Sequence, residues 1–155
     1  MKITQLLVLG LASLLTLPAA AQTRSDMQIL GEKIKADKKL VVAANMQLTE
    51  EEAKGFWPVY DGYQADLRKL NQRMAAGIKR YAAAYSKGAV PDETAKKLIN
   101  EAIAIEDAEV KLKRSYIPKL EKVIPGVKVA RYMQIENKIR AVVRYELATQ
   151  IPLVQ

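Results

Sequence analysis

Phe56, Tyr60, Tyr63, Leu67, Leu70, Met74, Ile78, Tyr81 and Tyr85 recur at steps of four and three residues, an apolar seam about four heptads long. Only a helix puts residues so spaced on one side. No segment of the chain shows the period-two alternation of a strand over a useful length. The helix carrying the seam has a clear start. Thr49, followed three residues later by Glu52, forms a capping box, in which the Thr hydroxyl accepts a free backbone N–H and the Glu reaches back to the cap. Glu50 and Glu51 add negative charge at the positive end of the helix dipole. The expected span is Glu50 to about Ser86, roughly 55 Å at 1.5 Å per residue.

Pro58 sits about two turns inside this helix, where it removes a hydrogen bond and crowds the carbonyl of Lys54. The stretch SKGAVPDE ends the helix, with Gly88 suited to a left-handed residue and Pro91 or Asp92 opening the next helix. That third helix is expected from Asp92 to about Val123, with Leu98, Ala102, Ile105 and Leu112 on one side. Ile99, Ile103, Val110 and Ile117 widen its apolar arc, so it should touch more than one neighbour. Its polar face offers Glu93–Lys97, Asp107–Lys111 and Glu109–Lys113 pairs at i,i+4 spacing.

A first helix is expected over 26–45, with Met27, Leu30, Ile34 and Val41 in a stripe that Asp37 interrupts, so its packing should be loose. A fourth helix follows IPGVK to about Leu147, with Tyr132, Ile135, Ile139 and Val142 inward. The tail TQIPLVQ is apolar but holds Pro152, and should be extended, either packed on the bundle or free.

The third helix also contains a proline, Pro118, and residue 88 in the connecting turn is the midpoint between it and Pro58. Helices joined by a short turn pair antiparallel, so the two prolines should lie at one level and bend the hairpin as a whole. The alternative is that each proline ends one helix and starts another. The fold class is therefore all-α: a long bent antiparallel helical hairpin with flanking helices, about four helices in all.

The first 21 residues read as a cleaved secretory signal: Lys2, an apolar run from Leu6 to Leu17, then Ala19-Ala20-Ala21. A single helical domain, 22–155, would follow, in the periplasm or outside a bacterial cell. The formal net charge of +8 loses one unit with Lys2, leaving +7. A basic exported protein is expected to meet an anionic envelope surface, such as lipopolysaccharide or cell-wall polymer, or acidic protein segments, rather than nucleic acid. A solubilising excess of charge with no partner explains the same number.

There is no histidine and no cysteine. Their absence removes the usual nucleophilic triads and dyads, a disulfide framework and the usual zinc and copper ligands. Glu50-Glu51-Glu52 and Glu106-Asp107-Glu109 read as a helix start and a solvated face rather than as metal sites. The glycines stand apart, with no phosphate-binding loop. No cofactor, no metal site and no catalytic residue is expected.

What remains is surface. Tyrosines in so thin a chain cannot all be buried, and a tyrosine offers an apolar face with a polar tip to varied partners. Tyr60, Tyr63 and Leu67 also read as ordinary core. The expected protein-binding residues are Phe56, Trp57, Tyr60, Tyr81 and Tyr85 with Arg73, Arg80 and Arg114, and Trp57, off the seam beside Pro58, is the residue expected to meet a partner. Basic residues bordering apolar patches attract acidic, partly unfolded segments.

An exported all-helical chain with LTEEE opening one long helix and VIPGVKVARYMQIENKI opening a later one resembles the Spy/CpxP-like periplasmic family. Leu48-Thr49 matches the start of that family's LTxxQ motif, and Glu52 stands for its Gln; at the second copy Ile124-Pro125 replaces Leu-Thr. The resemblance covers about residues 45–147. It implies a bent hairpin that forms a homodimeric cradle. It further implies ATP-independent chaperone activity on unfolded clients, or a regulatory partnership with an envelope-stress sensor. The family's metal-binding branch is histidine-rich, which this chain is not.

Overall fold

The computed structural model describes residues 37–155. The expected signal segment and the first part of the first helix, including Met27, Leu30 and Ile34, lie outside the described residues. What is described is all-α: α1 over 37–46, α2 Glu50–Tyr85, α3 Asp92–Glu121 and α4 Gly126–Gln150, with no strand among these residues.

The capping box forms as the sequence requires. Thr49 Oγ1 accepts from Glu52 N at 3.2 Å, and Glu52 Oε2 accepts from Thr49 N at 2.8 Å. Glu52 is also bonded by Lys128 Nζ from the start of α4. This Lys128 bond, then the Thr49 backbone, hold its carboxyl below the ordinary range. At the far end Gly88 adopts φ 118°, the left-handed conformation that lets α2 turn back into α3.

Both prolines lie inside unbroken helices. They also share a level. Tyr63 meets Tyr116 edge to face at 5.4 Å, and the backbone at Gly55 runs so close to Val123 that a Cβ there would sit 2.8 Å from Val123 Cβ. Pro58 and Pro118 fall between these two antiparallel contacts.

The remaining helices follow in up-down-up-down order. α4 runs back along α3, where Arg140 bonds Glu109 and Arg144 pairs with Glu106 at 3.5 Å. α1 lies against both α2 and α4: Lys38 Nζ donates to Gln64 Oε1 at 2.9 Å and to Glu136 Oε2 at 2.8 Å. Far from packing loosely, α1 buries Val42 and Met46 completely. Asp37, which interrupts the apolar stripe, instead accepts from Leu40 N at 3.0 Å. The reversal between α1 and α2 passes through Gln47 at φ 50°, whose carbonyl accepts from Lys128 Nζ at 2.9 Å.

The core is strongest at the proline end. Phe56, Tyr60, Tyr63 and Leu67 of α2 meet Tyr116 and Leu120 of α3, and Val129, Tyr132 and Ile139 of α4. Phe56 and Tyr132 stack edge to face at 5.1 Å, the arrangement ring quadrupoles favour. Burial pushes the Tyr60 phenol up to about 12, with nearby Glu136 adding to the effect, and raises Tyr63 and Tyr132 further. Leu70, Met74, Ile78, Tyr81 and Tyr85 continue the seam only half-buried.

Two carboxylates are built into this interior. Glu109, expected on a solvated face, is 3% exposed and is bonded by Arg140 and by Lys113 at 3.2 Å. Burial raises its pKa, but the hydrogen bond and charge of Arg140 and then Lys113 outweigh that, and its carboxyl is held below the usual range. Glu136 is buried beside it, taking bonds from Lys38 and from Gln64 Nε2, the latter at 2.8 Å. A polar layer of this kind adds little net stability, and removing either half leaves a charge without its partner.

Candidate functional site

The expected binding surface divides when the helices assemble. Phe56 and Tyr60 are 0% and 4% exposed, and they are core rather than surface. The reason is tertiary: Tyr132 of α4 lies against both rings, and Val42 and Met46 of α1 belong to the same core. Trp57 is half-buried, edge to face with Phe56 at 5.0 Å and Tyr60 at 5.3 Å, and Lys39 Nζ stands 5.0 Å from its ring centre. A partner meeting that face of Trp57 would compete with Lys39.

The arginines differ among themselves. Arg73 binds Glu101 through Nε at 3.2 Å and Nη2 at 3.3 Å, a two-bond clamp from α2 to α3. Arg80 and Arg114 are exposed. Glu93 pairs with Lys96 at 3.1 Å rather than with Lys97, and Lys96 also reaches Asp92 at 2.7 Å.

Tyr81 and Tyr85 are half-buried at the turn end of α2, with ring centres 5.8 Å apart. Tyr81 Oη donates to the carbonyl of Pro152 at 2.8 Å. Their rings, with Ile78, Ala82, Leu147 and Ile151, line a small apolar cavity of about 270 Å³.

Three exposed aliphatic side chains share one face of α3, where the sequence suggested inward residues. Ile99, Ile103 and Val110 are 57%, 52% and 49% exposed. At 100° per residue they form one file, about a third of a turn round the helix from the buried Ile105, Glu109, Tyr116 and Leu120. α2 and α4 cover the second group and leave the first in solvent. The signal was present in the sequence as an apolar arc wider than one neighbour can cover. Two neighbours do not cover it either.

No helix among the described residues is long and apolar enough to cross a membrane. Compared with known proteins, the chain matches no family model, no curated protein and no solved structure.

Proposed function

We propose that this chain is an exported, periplasmic protein-binding module that holds unfolded polypeptide without nucleotide, using an exposed apolar file on α3 with basic side chains at one end. The observation that carries the reading is the file of Ile99, Ile103 and Val110, three large aliphatic side chains about half exposed on one helix face. Isolated apolar residues on a surface need no explanation, whereas a file of them along one helix face favours an interaction site. Lys111 and Arg114 are exposed beside Val110, Glu106 and Asp107 are exposed between it and Ile103, and residues 22–155 carry +7. Acidic, partly unfolded segments would be drawn in by charge and held by apolar contact. The prolines at one level favour a curved hairpin, which would give such a surface its concavity.

The test is aggregation of two unrelated, chemically unfolded proteins on dilution, at low and high salt, with residues 22–155 present. Suppression of both at equimolar protein is expected, with loss of suppression in Ile99→Ser/Ile103→Ser/Val110→Ser and weaker holding in Pro58→Ala. Because the three residues are exposed, the triple variant should keep its melting temperature. Absence of suppression at several-fold excess, or an unaffected triple variant, would sink the reading. One tight complex with a single envelope sensor would favour a regulatory role instead. Binding to lipopolysaccharide that collapses as salt screens charge would favour an envelope-surface role.

A further inference from the structure

Ile151 and Pro152, where the chain leaves α4, lie beside Tyr81 and Tyr85. α4 makes its last backbone bond from Ile151 N to the Leu147 carbonyl at 2.9 Å, and Ile151 is already extended at φ −89°, ψ 115°. Pro152 has no N–H to continue the helix, so the tail leaves as extended chain. It crosses the Tyr81–Tyr85 pair, and Tyr81 Oη donates to the Pro152 carbonyl. We propose that Ile78, Tyr81, Ala82, Tyr85 and Leu147 form a docking groove for extended, apolar, proline-containing segments, and that Ile151 and Pro152 occupy it in cis until another such segment displaces them.

Three features favour an exchangeable occupant over a fixed tail. The bond from Tyr81 goes to a main-chain carbonyl, which any peptide supplies, so it selects backbone conformation and not one sequence. Aromatic walls that take extended proline-containing chain are a recurrent solution to peptide binding. The tail also leaves the site incompletely filled: a cavity of about 270 Å³ remains beside it. That is below the size of ordinary small-molecule pockets and suits one or two side chains of a peptide.

The tail's own hold is slight. Among the described residues the Tyr81 bond is the only hydrogen bond made by 152–155, and Leu153 and Val154 are 87% and 57% exposed. What keeps the tail in place is its tether, since a segment joined directly to the end of α4 competes at an effective concentration on the order of millimolar. A free segment succeeds by filling the cavity the tail leaves open. This proposal rests on the protein-binding reading and names a partner class and a restraint for it.

The experiment measures anisotropy of a fluorescein-labelled peptide copying residues 147–155 against three proteins: the full chain, the chain ending at Gln150, and full-length Ile151→Asp, which dislodges the tail without shortening it. The opened forms should bind at least tenfold more tightly than the full chain, and adding Tyr81→Phe should take most of that gain away. Equal affinity for open and closed forms overturns the proposal. So does absence of binding by an opened form whose helix content and melting temperature are unchanged. The outcome is separable from the aggregation assay. A peptide-binding groove in a chain that protects no unfolded protein leaves this site standing and removes the general holding role. Suppression of aggregation that ignores Ile151→Asp and Tyr81→Phe, with no peptide bound, removes this site alone.

Discussion

Replacing Arg140 by leucine should expose the cost of the buried carboxylate layer. Arg140 Nε donates to Glu109 Oε2 at 2.8 Å, its Nη2 reaches the same oxygen, and its Nη1 holds Asn71 Oδ1 at 2.8 Å. Glu109 is 3% exposed, so the substitution leaves a carboxylate in the interior with Lys113 at 3.2 Å and the more distant Arg144 at 3.8 Å. Breaking a buried pair from one side costs about 3–5 kcal/mol, and the two cations that remain, Lys113 and Arg144, point to the lower end, about 3 kcal/mol. At about 3–5 °C per kcal/mol for a domain of this size, the melting temperature should fall by about 10 °C. The double variant Glu109→Leu/Arg140→Leu removes both charges and should lie within about 1 kcal/mol of the parent, because the pair itself contributes little net stability. Thermal and urea unfolding followed by circular dichroism measure both.

The pH dependence gives a second arm. Glu109 has a depressed pKa in the fold, so the stability tied to its ionised form is complete above the unfolded carboxylate value of about 4.3 and is lost as pH falls through the folded value. In Arg140→Leu burial is less opposed, the folded pKa rises, and protonation begins at higher pH. The gap between parent and variant should therefore narrow in acid. A single variant costing under about 1 kcal/mol, or a double variant as costly as the single, would refute this account of the layer.

Two glycines on α2 should respond in opposite directions. A Cβ at Gly55 would lie 2.8 Å from Val123 Cβ and 3.0 Å from its Cγ1, so Gly55→Ala should destabilise by about 1 kcal/mol or more despite better helix propensity. At Gly77 the nearest atom is 3.9 Å away, and Gly77→Ala should stabilise by about 0.5–1 kcal/mol; urea midpoints with unchanged slopes decide both. In alkali, burial keeps the Tyr60, Tyr63, Tyr116 and Tyr132 phenols neutral above their usual range. Their contribution to stability is intact below the unfolded value of about 10 and is lost as pH rises beyond it. Phenolate absorbance from these four should appear together with loss of helix, and ionisation of all seven tyrosines with helix intact would contradict the packing.

Much of the fold is legible in local sequence because it depends on near neighbours. Thr49 and Glu52 meet across one turn, and the cap forms as their spacing demands. The span of α2 ends one residue from its expected limit, and α3 begins at Asp92 as expected. Antiparallel pairing through a short turn around Gly88 likewise requires no knowledge of other helices. The proline pair was legible for the same reason, since the register of a hairpin follows from its turn.

The site is another matter. Whether Phe56 and Tyr60 face solvent depends on where α1 and α4 come to rest, which the spacing of residues within α2 does not set. Ile99 and Ile103 look as apolar as Ile105 along the chain, and only the placement of α2 and α4 decides that Ile105 is covered and the other two are not. Glu109 reads as a surface acid until Arg140, 31 residues away, meets it in the interior. Periodicity and capping act within a few residues and so determined the helices, their ends and the hairpin. Burial is a property of what lies across the gap, so tertiary structure alone decided which aromatic residues became core, which aliphatic residues stayed outside and which charges were taken in.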